Sequence, residues 1–320
     1  MSRLLTIIFS LVISQQSIYS QVTIENQNDA KLFLEEYLSP MGEGLGAMLN
    51  NGWYNSARTH KFGGFDVSIS LNSLFIPKAK KSFDPNTLSN FSSNTETPTI
   101  LGKGEGALVE YNGNEFKLPN QASSISILAL PTANIGIGLI KKTEINARYI
   151  PNYNFQAGFA GKGEVSLWGI GFKHDILQWI PIIGDAIPLS VSLQAGYTDL
   201  STKQTILNQE VNLNTKAANI NIIASRKILM LTGFASLGYS SSISSFNVAT
   251  SPLNVVQYFN LGDLDIQLPI DMEFQRFNDF RANIGLRFNI ALIAFQANYT
   301  LSEYSVFSIG AGVSLSLIHI

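Results

Sequence analysis

Three histidines are the first residues to question for chemistry. His60, His174 and His319 are scattered along 320 residues. No two lie at metal-ligand spacing, and no H-E-x-x-H pair is present. No G-x-S-x-G elbow presents a serine nucleophile. His60 and His174 are the candidate bases if a Ser–His pair forms across the rim of a barrel. His174 and Asp175 are adjacent, so on a strand their side chains diverge. Cysteine is absent, which excludes thiol chemistry, a disulfide framework and a lipid anchor on Cys. Gly42, Gly44 and Ala47 spell G-x-G-x-x-A, but a helical pattern and a proline precede them, so the dinucleotide reading fails. No enzyme activity, cofactor or metal is expected.

The remaining chemistry is a set of charges on the polar faces of alternating strands: Asp66, Glu144, Arg148, Arg281 and Arg287. If the opposite faces meet lipid, these five point into a lumen. There they can select a solute. They can equally pair with one another or with the N-terminal segment, which satisfies buried polar groups.

The elements that must position them are strands. Phe65, Val67, Ile69, Leu71 and Phe75 share one face, with Asp66, Ser68, Ser70 and Asn72 opposite. The same alternation runs through Ile135–Leu139, Ile145–Tyr149, Leu189–Tyr197, Ala218–Ala224, Leu229–Tyr239, Ala282–Phe288 and Ile293–Leu301. Gly163–Lys173 reads as a strand with mixed faces, and Lys141-Lys142 as a tight turn. The last stretch is the cleanest: Phe307, Ile309, Ala311, Val313, Leu315 and Leu317 alternate with serines and glycines. It is expected to pair with Ile293–Leu301, to close onto Phe65–Phe75, and to offer a small-residue wall to a plug. Lys78–Gln121 and Ser240–Asp279 read as long loops and Leu200–Glu210 as a shorter one, all at one end. Asp175–Pro188, with Trp179, reads as a connector at a membrane interface.

Ahead of the strands, Asn28–Leu38 has the rhythm of an amphipathic helix, which Pro40 is expected to end. Residues 41–57 are too rich in glycine for a helix and too apolar for a solvent loop. Two readings stand: a plug threaded through a barrel, carried by Met41, Gly44, Gly46, Met48, Trp53 and Tyr54, or a hairpin beside the first strand.

Composition narrows the class. Charged residues are only 14%, hydrophobic residues 45% and the net charge −2. That is charge-poor for a soluble domain and leaves no electrostatic footprint for nucleic acid. Arg3, the apolar run Leu4–Ile13 and the small residues before Gln21 read as a secretory signal peptide. No later window is apolar enough for a spanning helix. The expected organisation is a signal peptide over 1–20, a helix and plug over 21–60, and a barrel over 61–320. The expected fold is an all-β, antiparallel transmembrane β-barrel of about 10–14 strands.

Several segments also resemble an uncharacterised family of outer-membrane barrel proteins of Bacteroidota-type bacteria. They are Gly44–Ala57, Gly64–Phe75, Thr143–Pro151, Gly171–Pro181, Gln194–Thr198 and Phe280–Arg287. The layout is more distantly similar to the long-chain fatty-acid and aromatic-hydrocarbon transporters, through Leu45–Ala57 and their N-terminal hatch. The resemblance implies passive uptake of a small hydrophobic or amphipathic solute, with a surface barrel acting through long loops as the alternative. It implies outer-membrane lipid, lipopolysaccharide and the barrel-assembly machinery as partners. One departure stands out: such barrels often end in an aromatic residue, whereas this chain ends Leu317-Ile-His-Ile320.

Overall fold

A computed structural model describes residues 22–24, 27–121, 124–157, 161–180, 188–206, 209–248, 264–266 and 270–315. The signal peptide expected over 1–20, His319 and the non-aromatic terminus lie outside them.

Period-2 alternation puts every second side chain on one face, and here ten such strands close into a ring. They are β1 (Phe65–Phe75), β2 (Ile127–Leu139), β3 (Thr143–Ala157), β4 (Gly161–Asp175), β5 (Ser190–Ile206), β6 (Gln209–Ile228), β7 (Leu231–Val248), β8 (Phe277–Ile290), β9 (Ile293–Leu301) and β10 (Val306–Leu315). Each strand pairs antiparallel with its sequence neighbours, and β10 closes on β1 with Ser314 opposite Asp66. The fold is therefore an all-β closed antiparallel barrel, with one α-helix among the described residues. Closure leaves no barrel edge unpaired, as a hydrocarbon surrounding requires.

The outward faces are apolar. Phe280 is 80% exposed, Leu237 71% and Ile284 68%. Asp66, Glu144, Arg148, Lys173, Arg281 and Arg287 turn inward, while Lys203 and Lys216 stand exposed on the loop-end halves of β5 and β6. A belt of exposed Ile, Leu, Phe, Tyr and Trp around a closed ring is a lipid-facing wall. No helix among the described residues is long and apolar enough to cross a membrane.

The two rims differ. At one, the turn end, short turns join β2 to β3, β6 to β7 and β8 to β9. Lys141 and Lys142 both take left-handed backbone there, the geometry of a two-residue hairpin turn. Trp179 lies exposed at this rim, while 181–187 of its connector fall outside the described residues. At the other, the loop end, Ile76–Ser126 folds into a dome. Its hairpin Leu108–Tyr111/Asn114–Lys117 carries Phe91–Ser93 as a third strand.

Two boundaries depart from the sequence reading. Most of the loop expected over Leu200–Glu210 is strand, because β5 runs to Ile206 and β6 starts at Gln209, as 17- and 20-residue strands. β7 extends to Val248, and Ile270–Glu273 pairs back onto its end, so the second long connection is shorter than Ser240–Asp279. The mixed faces of β4 arise because its inward side is apolar at Val165 and Leu167, then small, then charged at Lys173.

The largest correction concerns the N-terminal segment. The helix α1 runs from Gln27 to Leu49, through Pro40 and the glycine-rich stretch. Pro40 removes one backbone donor and glycine lowers helix propensity. Tertiary packing overrides both. A Cβ at Gly42 would come within 2.9 Å of the Ser244 side chain, and one at Gly46 would overlap Ser242. The glycines thus let α1 lie directly against the serine face of β7. That face, rather than β10, is the small-residue wall for the helix.

Candidate functional site

The barrel interior is filled by the N-terminal segment, in two storeys. In the upper storey, at the loop end, α1 presents Phe33, Leu34, Tyr37 and Leu38, all fully buried. They belong to one apolar core that includes Leu74, Leu101, Val109, Leu167, Leu213, Phe246 and Phe274. Phe33 stacks on Tyr37 at 5.8 Å. Val165, Leu167, Leu200, Leu213 and Phe246 are inward yet apolar here because they meet the helix and the dome instead of water.

The lower storey is mostly polar, around one small apolar cluster of Trp53, Tyr54, Ala57, Ile223 and Phe234 in which Tyr54 meets the edge of Phe234 at 6.1 Å. α1 ends at Leu49, and an extended coil runs from Asn50 to Gly64. A helix C-terminus exposes carbonyls without partners and carries partial negative charge. Two arginines meet it. Arg148 Nη1 donates to Leu49 O at 2.6 Å and Nη2 to Asn51 O. Arg281 donates to Asn50 O at 2.7 Å and to Asn51 Oδ1 at 2.6 Å. The Arg148 guanidinium also stacks on Trp53, 3.8 Å from the ring centroid. Trp53 sits in a notch between β4 and β5, where a Cβ at Gly171 or Gly196 would strike its ring.

Further down, Tyr54 OH meets Ser236 Oγ at 2.5 Å, and Ser56 Oγ meets Ser225 Oγ at 3.3 Å. At the turn end Glu144 accepts from the His60 backbone N–H and meets His60 Nδ1 at 2.8 Å, and it pairs with Lys173 at 3.0 Å. Asp66 pairs with Arg287 at 2.7 Å. The five charges named from sequence are thus all buried inside the ring. Asp66 and Arg287 hold each other, Glu144 holds His60 and Lys173, and Arg148 and Arg281 hold segment backbone. Of the six segment residues, Met41, Gly44, Gly46 and Met48 lie in α1, and Trp53 and Tyr54 in the coil.

Sequence reasoning missed Lys173, Asn50 and Asn51 as interior partners. Lys173 stood on a strand without clean alternation, and Asn50-Asn51 carried no periodic signal. The lower storey also holds buried polar atoms without a protein partner, among them Asn51 Nδ2, Trp53 Nε1, Gln194 Nε2 and Arg281 Nε. Such groups are sites for bound water. One enclosed void beside Asn50, Asn51 and Arg281 has a volume of about 10 Å³, room for a single water. Two larger grooves, about 730 and 490 Å³, lie along the outer wall near Leu237 and Phe280 and near Ile69 and Phe295. Both open toward the lipid side.

His60 also places Nε2 3.1 Å from Ser314 Oγ, completing a Glu144–His60–Ser314 relay. Its order matches that of a hydrolytic triad. The neighbouring backbone donors are spent: Gly63 N–H on Gly138 O, Gly64 N–H on Lys61 O, Gly138 N–H on Gly64 O and Ser314 N–H on Leu292 O. None of these is free for an oxyanion. His174 instead meets Thr143 Oγ1 at 2.9 Å and accepts from Trp179 Nε1 at 2.8 Å.

A latch closes the mouth at the loop end. Lys80 Nζ pairs with Glu43 on α1 at 3.0 Å and with Glu303 at 2.9 Å, and Tyr304 OH donates to Glu43 at 2.7 Å. Burial works against the Lys80 ammonium, but its hydrogen bonds to Glu303 and Glu43 outweigh it and raise the pKa. Burial first, and then the Glu43 carboxylate, push the Tyr304 phenol up.

Residues 1–315 match the model of a family of unknown function, DUF6588. The chain belongs to that family. No curated protein matches the DUF6588 chain. Among solved structures it is similar to the translocator domain of the autotransporter NalP from Neisseria meningitidis. Identity there is 12%, coverage 90% of this chain and 99% of that one, and the TM-score 0.31. It is also similar to Ail, the attachment invasion locus protein of Yersinia pestis, at 10% identity, 79% and 99% coverage and a TM-score of 0.27. The Ralstonia pickettii toluene transporter TbuX aligns at 8% identity, 79% and 88% coverage and a TM-score of 0.21. Likenesses at this level say nothing of function.

Proposed function

We propose that this DUF6588 chain is an outer-membrane barrel that passes a small hydrophobic or amphipathic solute and is held shut by its own N-terminal segment. The observation that carries this reading is the fill. A segment outside the barrel ladder occupies the ring from mouth to foot, and the wall grips its lower half through one small apolar cluster (Trp53, Tyr54, Ala57, Ile223 and Phe234), the stacking of Arg148 on Trp53, and a larger set of hydrogen bonds. Such bonds exchange readily with water and solute groups, each at a net cost of about 1 kcal/mol. On this reading the loop end faces outward and the turns face the periplasm. The partners are outer-membrane lipid, lipopolysaccharide and the barrel-assembly machinery.

The test uses the absence of cysteine. Ser56→Cys with Ser225→Cys places two thiols where the hydroxyls lie 3.3 Å apart. Oxidation then pins the coil to the wall. In proteoliposomes the reduced form is expected to admit a hydrophobic probe and the oxidised form to exclude it. Deleting residues 22–57 is expected to raise uptake. If the deleted barrel still shows heat-modifiable gel mobility and uptake is unchanged, the plug reading is lost.

The folded dome favours a second reading, a surface barrel that binds through its loops. Charge reversal at the exposed Glu96, Glu110 and Glu115 then alters cell-surface binding and leaves permeability unchanged.

A further inference from the structure

The segment has a direction. Its contacts descend the barrel in strict sequence order. Val22–Ile24 pairs in parallel with Leu264–Ile266 of the second long connection. Asp29 then accepts from Asn90 and Tyr111 of the dome, both at 3.0 Å. Leu49 and Asn50 meet Arg148 and Arg281 at mid-height. Tyr54 meets Ser236, and Ala57 N–H donates to Ser225 Oγ at 3.0 Å. His60 reaches Glu144 and Ser314, and Gly63 N–H reaches Gly138 O at the turn end. Only then does β1 begin. The start of α1 and the start of β1 therefore lie at opposite rims, joined through the lumen.

We infer that the barrel carries its own N-terminal segment across the membrane and displays the residues ahead of α1 on the outer face. The inference rests on the outer-membrane placement proposed above, with long connections outward. An exported chain reaches that membrane from the periplasmic side, where β1 starts. The stretch ahead of β1 must then pass through the ring, or the ring must close around it, for α1 to sit under the dome.

The experiment uses intact cells that produce the full chain. An epitope is inserted between Gln21 and Val22, and single cysteines are introduced as Glu110→Cys in the dome and Lys142→Cys in a turn. The probes are an antibody and a bulky, membrane-impermeant maleimide. The antibody is expected to bind intact cells, Glu110→Cys to be labelled on them, and Lys142→Cys to stay unlabelled until the outer membrane is permeabilised. Leu32→Cys, exposed on the first turns of α1, gives the same readout without an insertion and is expected to follow Glu110→Cys. If Glu110→Cys is labelled while the epitope and Leu32→Cys stay silent until permeabilisation, display is overturned and the barrel reading survives. Labelling of Lys142→Cys but not Glu110→Cys on intact cells overturns both display and the outward placement of the loops. Recovery of the chain outside the outer membrane overturns the inference together with the reading beneath it.

Discussion

The upper and lower storeys of the lumen are filled by one continuous segment, yet different forces hold each half. Above, α1 buries Phe33, Leu34, Tyr37 and Leu38 against the dome and the strand ends. Each such side chain contributes roughly 1.5–3 kcal/mol on burial. Below, the apolar cluster is small (Trp53, Tyr54 and Ala57 against Ile223 and Phe234), most of the coil's partners are polar (Arg148, Arg281, Ser225 and Ser236), and several facing polar atoms find no protein partner. A dry interface resists displacement because a cavity opens when it parts. A polar one loses little when water replaces a partner. One segment can thus be anchored at the loop end and loose at the turn end.

The sharpest way to break this contrast is Phe33→Ala. It is expected to cost about 4 kcal/mol, read as a lower denaturant midpoint of heat-modifiable mobility in detergent, and to leave solute uptake unchanged. A larger rise in uptake than in the Arg148 variant would reverse the roles of the storeys. Arg148→Met removes the charge that holds Leu49 O and Asn51 O. It is expected to cost roughly 2–3 kcal/mol and to raise uptake of a hydrophobic probe, so the smaller stability loss accompanies the larger functional gain. Tyr54→Phe deletes the hydroxyl at Ser236 and is expected to cost about 1 kcal/mol. A cost near that of Phe33→Ala would show that the lower storey is as rigid as the upper.

The smallest expected effect is alkaline loosening of the mouth. The pKa values of Lys80 and Tyr304 are both raised in the folded chain. Each favours its protonated form in the fold, so the stability it adds is complete below the ordinary values of 10.5 and 10.0 and is lost as pH climbs past them. A modest fall in thermal midpoint above that range, absent in Tyr304→Phe with Lys80→Met, is the expected reading. An unchanged profile in the parent chain would remove the latch from the account.

Much of the wall was legible because lipid imposes a strict rule. Residues such as Ile69, Leu237 and Ile284 must face out while Asp66, Asn221 and Arg281 face in, and period 2 records this directly. Where the rule lapses, reading fails for a physical reason. Val165 and Leu167 are apolar yet inward, because α1 stands opposite them. Leu200–Glu210 looked like a loop because β5 and β6 project past the apolar belt, where no lipid enforces alternation. The continuation of α1 past Pro40 was hidden most deeply. Its glycines report a close neighbour without naming it, and that neighbour, Ser242 and Ser244, lies some 200 residues away.

The charges show the same division. Sequence alone determined that Asp66, Glu144, Arg148, Arg281 and Arg287 stand on the polar faces of alternating strands, since alternation is a local property of each strand. It also determined that residues 41–57 would pack closely against something, since no solvent loop is so rich in glycine and apolar residues. Only the tertiary structure decided that Arg148 and Arg281 cap a helix end, that Asp66 finds Arg287, and that the segment enters at the loop end and leaves at the turn end. Those pairings depend on closure of the ring and on the path of a segment through it. Both are long-range events that no local pattern encodes.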